Sequence, residues 1–185
     1  MRIGRNIALF GGILFVLALF PSTMAAYVTR PESQRLTQLL MDAKDEAIEL
    51  ANDADETEGL SLSDANWVTH ELTLAKVRGH VDNMALIIDK LNQAQKSGSE
   101  LQEQAVQQML PLIRELSANT TAAINYLKQN KNRPDSEVYQ QYLKKNAEAA
   151  HQLSSMISAL LEYENSMTEI EQLRSKLGAS GESKP

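Results

Sequence analysis

The chain has 185 residues, 18 Lys and Arg against 24 Asp and Glu, a net charge of −6, 43% hydrophobic and 5% aromatic residues, and no cysteine. That length supports one domain with a real core, and that hydrophobic share excludes global disorder. The missing cysteine excludes disulfides, thiolate metal sites, covalent c-type haem, a cysteine nucleophile and a lipoprotein anchor, and a net acidic chain without a basic stripe is a poor nucleic-acid binder.

The N-terminus speaks to compartment. Arg2 and Arg5 precede an uninterrupted apolar and glycine run over residues 7–20, followed by Pro21 and the small-residue stretch Ser22-Thr23-Met24-Ala25-Ala26. This order is that of a secretory signal peptide over residues 1–25, with cleavage expected after Ala25 or, as the alternative, after Ala26. The competing reading is an uncleaved anchor; the run falls short of the roughly 20 apolar residues that span a bilayer. The expected location is therefore periplasmic or secreted, with membrane attachment only if the segment is retained. Loss of Arg2 and Arg5 deepens the net charge to about −8.

The first predicted helix covers about residues 30–56. Pro31 and Glu32 suit a first helical turn, and Leu36, Leu40, Ala43, Ala47, Leu50 and Ala54 recur in steps of four and three, the spacing of a buried seam. Asp42, Asp45, Glu46, Glu49, Asp53 and Glu56 fall on the other side, a solvated acidic face.

The second helix is predicted over 64–96, capped by Ser63 or Asp64. With Trp67 at heptad position a, the a residues are Trp67, Leu74, Val81 and Ile88, and the d residues are His70, Val77, Met84 and Leu91. All but His70 are apolar, a strong one-helix pattern. Gly98 then breaks the run, and Ser99 with Gln102 reads as the next capping box.

The third helix, about 99–131, carries Leu101, Ala105, Met109, Leu112, Leu116, Ala123 and Leu127, with Pro111 inside it. Proline removes a backbone hydrogen bond and crowds the preceding turn, which predicts a kink or break near residues 107–110.

The fourth helix, about 134–177, is the longest, near 65 Å at 1.5 Å per residue. Its a positions are Tyr139, Asn146, Leu153, Leu160, Met167 and Arg174; its d positions are Tyr142, Ala149, Met156, Tyr163, Ile170 and Leu177. Asn146 at an a position is a register-fixing residue. Residues 178–185 have no apolar pattern and read as a disordered tail. Short connections make successive helices antiparallel neighbours, so the expected fold is an all-α, up-down-up-down four-helix bundle with a long C-terminal helix. The far end of that helix offers Met167, Ile170 and Leu177 to a protein partner or to self-association; the plainer reading is packing on the start of the first helix, or fraying.

The candidate sites are few. His70, at a d position, is expected to be buried or half-buried and to hydrogen-bond across the core; the sharper reading is non-covalent haem ligation with Met109 or Met156. His80 lies about 15 Å along the helix from His70, too far to share a metal. "EAAH", Glu148 to His151, matches one Glu-x-x-His unit of di-iron bundles, but both residues fall on the solvent side. "DADETEGLSLSD", residues 53–64, resembles an EF-hand loop: Asp53, Asp55 and Thr57 take the first, third and fifth ligand places and Asp64 the last. It departs from the pattern with Glu58 where glycine makes the sharp turn, and the plain reading is a helix end and a cap. Lys128, Lys131 and Arg133, in the last connection, are expected to face the acids at the end of the first helix. Asn119-Thr120-Thr121 is a formal glycosylation sequon. No phosphate loop, nucleophile elbow or zinc-protease motif is present.

"NWVTHELTLAKVRGHVDN", "MLPLIRELSANT" and "YQQYLKKNAEAAHQLSSMI", together with the leader, resemble a group of exported, all-helical hypothetical proteins of acidobacteria, which lends no activity or functional residues. The architecture also resembles the four-helix sensory domains of chemoreceptors, without a second span or a signalling region. The expectation is an exported, non-enzymatic helical protein of the cell envelope with an interaction or structural role and no resident cofactor. The alternative is a periplasmic ligand or metal binder.

Overall fold

The computed structural model describes residues 31–94, 100–131 and 133–181. The leader over residues 1–25, Gly98, the cap expected at Ser99 and residues 182–185 lie outside the described residues. Four helices follow in order: α1 (Pro31–Leu60), α2 (Trp67–Ala94), α3 (Glu100–Gln129) and α4 (Glu137–Gly181). No strand occurs among the described residues. α1 and α3 each pack on both α2 and α4, while the diagonal pairs, α1 with α3 and α2 with α4, make no close backbone approach. This is the square section of an antiparallel four-helix bundle, which connections this short impose.

The helix faces follow the apolar spacing. α1 buries Leu36, Leu40, Ala43, Ala47, Leu50 and Ala54. α2 buries His70, Leu74, Val77, Val81, Met84, Ile88 and Leu91, while Trp67 is half-buried. α3 buries its expected seam except Leu101, which is exposed at the open end of the bundle. In α4 the a positions Tyr139, Asn146, Leu153 and Leu160 are buried, but Tyr142 and Met156 are only half-buried, and Leu143, Ala150 and Ile157 are buried instead. A straight helix has 3.6 residues per turn, so a strict seven-residue seam drifts around its surface and the buried stripe shifts toward the e positions.

Four boundaries differ from expectation. α1 continues to Leu60 rather than stopping near Glu56, and closes through Ser61, Leu62 and Ser63 amides bonded to Glu58, Gly59 and Leu60 carbonyls. α2 starts at Trp67, not at residue 64: its cap is Asn66, whose Oδ1 accepts from the amides of Val68 at 3.0 Å and Thr69 at 3.2 Å. Ser63 instead donates to Leu60 and accepts from the Ala65 amide. α4 starts at Glu137 behind Ser136, whose hydroxyl accepts from the Tyr139 amide, and runs to Gly181, into the tail expected to be disordered. Pro111 does not break α3, which is continuous from Glu100 to Gln129. The ring is on the exposed side, where the Gln107 carbonyl that loses its helical donor is within reach of water.

With 45 residues α4 measures about 67 Å, against about 42–45 Å for its neighbours. Gln102, near the start of α3, donates to the Glu164 carboxylate, which marks where α4 leaves the bundle. Every described side chain from 165 to 178 is exposed.

Candidate functional site

The three histidines stand at different places in the bundle, His70 in the first turn of α2, His80 at the middle of α2 and His151 on α4, and each is spent differently. His70 is fully buried. Its Nδ1 lies 3.2 Å from the hydroxyl of Tyr139, with the two rings edge to face at 5.5 Å between centroids. Tyr126 stacks on the other side of Tyr139 at 6.0 Å. Leu74, Ala123, Leu127 and Leu143 complete this second, smaller core, with Trp67 packed against it and the Lys131 ammonium 4.1 Å above the indole. The His70 Nε2 has no hydrogen-bond partner among the described residues. A Tyr139 hydroxyl that donates to Nδ1 leaves only one polar hydrogen, on Nε2, unmet; the reverse arrangement leaves both the hydroxyl hydrogen and Nε2 unmet. The first arrangement is the cheaper. Burial pushes the imidazole pKa below its ordinary value and the phenol pKa above its own.

The haem reading of His70 is not supported by this placement. The tyrosines beside His70 are residue 126 on α3 and residue 139 on α4. Met109 and Met156 each lie 17 residues away along those same helices, about 25 Å at 1.5 Å per residue. A crevice at the same end of α2, lined by Trp67, Glu71, Leu74, Ile124, Leu127 and Lys128 and not by His70, offers about 10 Å3 of space, about one water molecule.

His80, half-buried, bridges two carboxylates of α1. Its Nδ1 lies 2.6 Å from Glu46 Oε1 and its Nε2 3.2 Å from Asp53 Oδ2. Asn83 adds a donor to Glu46 at 3.2 Å, and Lys76 reaches Glu56 at 3.2 Å and Asp53 at 3.9 Å. The hydrogen bond to Glu56, with the charge of Asp53 behind it, raises the pKa of the Lys76 ammonium. His151, exposed as expected on α4, places Nε2 2.9 Å from both carboxylate oxygens of Asp55, and Glu148 faces Lys144 at 3.8 Å.

The alternative reading of residues 53–64 as a cation loop finds no loop over its first half. Asp53, Asp55 and Thr57 stand on α1. Residues two apart on a helix point about 200° away from each other, so Asp53 meets α2 and Asp55 meets α4. Thr57 is buried, and its hydroxyl donates to the Asp53 carbonyl at 2.7 Å. Asp64 is exposed in the following turn. No group of three or more His, Asp or Glu among the described residues is arranged to hold a metal ion. The acids of α1 also find different partners from those expected. Lys128 at the end of α3, and Lys131 and Arg133 just after it, go with the helix diagonal to α1, and the side chains that reach the acids are Lys76 and His80 of α2 and His151 of α4.

No protein-family model matches the chain, and no curated protein or solved structure matches it.

Two further polar residues complete the inventory. Asn146 is buried, and its side-chain amide donates to the Thr120 hydroxyl at 3.1 Å, the cross-helix contact that its heptad position predicts. Asn119, of the sequon, has its side-chain nitrogen buried without a partner among the described residues, which leaves that nitrogen inaccessible to glycan transfer in the folded chain. Sequence reasoning did not find the Tyr126–Tyr139–His70 stack. Its only signal was that Tyr139 of α4 and His70 of α2 both occupy core positions of their heptads.

Proposed function

We propose that this is an exported, non-enzymatic helical protein of the cell envelope that works through protein interaction. The observation that carries the reading is the unburied part of α4. Tyr163, Met167, Ile170, Leu173 and Leu177 are 39–74% exposed on one protruding helix. An apolar stripe left in water at the end of a packed bundle costs solubility unless something covers it. The leader grammar of residues 1–25 supplies the export half of the reading.

Two experiments test it. Cell fractionation with N-terminal sequencing reports the compartment and the cleavage; protein retained in the cytoplasm with Met1 intact ends the export reading. Photo-crosslinking from Leu173 in cells, compared with the exposed bundle residue Leu72, reports the contact. Adducts at Leu173 and not at Leu72 support the interaction role, and equal absence at both removes it.

A second reading, ligand binding at the His70 end, has one observation in its favour: the buried Nε2 without a partner. Its test is a thermal-shift series with small hydrogen-bond acceptors and divalent metals, in which His70→Leu abolishes any shift.

A further inference from the structure

We infer that the protruding end of α4 pairs with the same segment of a second copy, antiparallel, with Arg174 of each copy seated on the Tyr163 ring of the other. The inference rests on the interaction role proposed above and names its partner.

The heptad register of α4 continues past the bundle. Met167 and Arg174 are at a; Tyr163, Ile170 and Leu177 are at d; Leu173 flanks them at g. In an antiparallel pair each a layer faces a d layer. Met167 of one copy then meets Ile170 of the other, Arg174 meets Tyr163, and Leu177 meets Leu160. The last layer has a receptor already built. An open groove of about 390 Å3 between α3 and α4, lined by Leu101, Ala105, Met156, Leu160 and Tyr163 among others, lies where the tip of the second helix arrives. Stripe and groove are therefore one continuous surface.

Charge selects the orientation. Glu162, Glu164, Glu169 and Glu171 occupy the near part of the segment, and Arg174 and Lys176 the far part. Antiparallel pairing brings the basic end of each copy beside Glu162 and Glu164 of the other, with the guanidinium over an aromatic face. Parallel pairing stacks Arg174 on Arg174 in the seam, a like-charge contact in the least hydrated part of the interface. Antiparallel pairing also sets the two bundle bodies at opposite ends of the shared segment. Its one unfavourable contact is Glu171 near Glu164 of the second copy. Tyr163 to Leu177 spans about 21 Å, so the interface is small and the dimer reversible with concentration.

Sedimentation velocity of the purified protein across a wide concentration range tests the pairing. The expected result is a monomer–dimer equilibrium that Ile170→Asp weakens about tenfold or more, with unchanged helical circular dichroism. Because the chain has no cysteine, single-cysteine variants report the orientation. A mixture of Met167→Cys and Ile170→Cys proteins is expected to give the mixed disulfide as its main product, and Arg174→Cys alone to give little. A dominant Arg174→Cys homodimer means parallel pairing and overturns the inference. So does a monomer at every concentration. A protein that is monomeric alone, yet crosslinks in cells from Leu173 to a different polypeptide, loses self-pairing while the interaction role stands; absence of both removes the two together.

Discussion

Tyr139 and His70 belong to helices on the diagonal of the bundle, yet their side chains meet across its axis with 3.2 Å between the hydroxyl and Nδ1. Since α2 and α4 make no close backbone approach, this bond is a polar tie across the diagonal of the bundle. Tyr139→Phe keeps the ring and its stack on Tyr126 and removes only the hydroxyl. The loss leaves a buried imidazole with neither nitrogen satisfied, and about 1–3 kcal/mol of stability should go with it. Chemical denaturation measures this; a variant within about 0.5 kcal/mol of the parent, the range of neutral substitutions, would show that the bond contributes nothing net.

Burial also gives His70 a signature in acid. Its folded-state pKa lies below the ordinary value of 6.5, so the unfolded chain takes up the proton first as pH falls. The stability contributed by the neutral ring is complete above about pH 6.5 and declines as pH drops through that value. Glu164, whose carboxyl pKa is raised by burial against the opposing Gln102 bond, acts in the other direction: its contribution is complete at low pH and is lost as pH rises through the carboxylate range. In melting curves between about pH 7.5 and 5.5, His70→Leu is expected to flatten the fall in Tm relative to the parent. Parallel curves for the two proteins would reject a buried neutral His70.

Gly79 sits in the interior of α2, and a methyl group added there meets nothing within 4 Å. Glycine at such a position leaves the unfolded chain more freedom than alanine does, so Gly79→Ala is expected to stabilise by about 0.5–1 kcal/mol. An unchanged or lowered denaturation midpoint would contradict the open, regular helix described at this point.

The charge pairs on the α1 face predict a contrast. Lys76 stands between Glu56 and Asp53, whereas Arg133 lies in the connection after α3. Lys76→Glu should lower Tm more at low salt than at high salt, because these are exposed, screenable pairs. Arg133→Glu should change Tm less at either salt concentration. Equal effects of the two reversals at low salt would restore the arrangement in which the cations of the last connection oppose the acids of α1.

Asn146 and Thr120 are coupled inside the core. Thr120→Val strands the Asn146 amide and should cost about 1–3 kcal/mol, whereas Thr120→Val with Asn146→Leu should recover much of that loss, because the second change removes the stranded group. A double-mutant cycle showing simple additivity would mean that the two side chains do not interact in solution.

The amino-acid sequence by itself determined the number of helices, their order and nearly all the buried residues of α1 and α2. Apolar spacing of three and four has one helical solution, and short connections leave one economical topology. It also placed His70 on the core-facing side, Glu148 and His151 on the solvent side and Asn146 at a core polar position, because each follows from position on a single helix. Only the tertiary structure decided the partners. That Tyr139 reaches His70, that His80 joins Glu46 to Asp53, and that Asp53 and Asp55 turn to different helices depends on which helix stands beside which, and at what height. Pattern along one helix carries no record of these distances. The end of α1 shows the same division: Gly59 and the acidic run looked like a loop locally, but packing against α2 and α4 kept the chain helical to Leu60 and removed the geometry a cation loop requires.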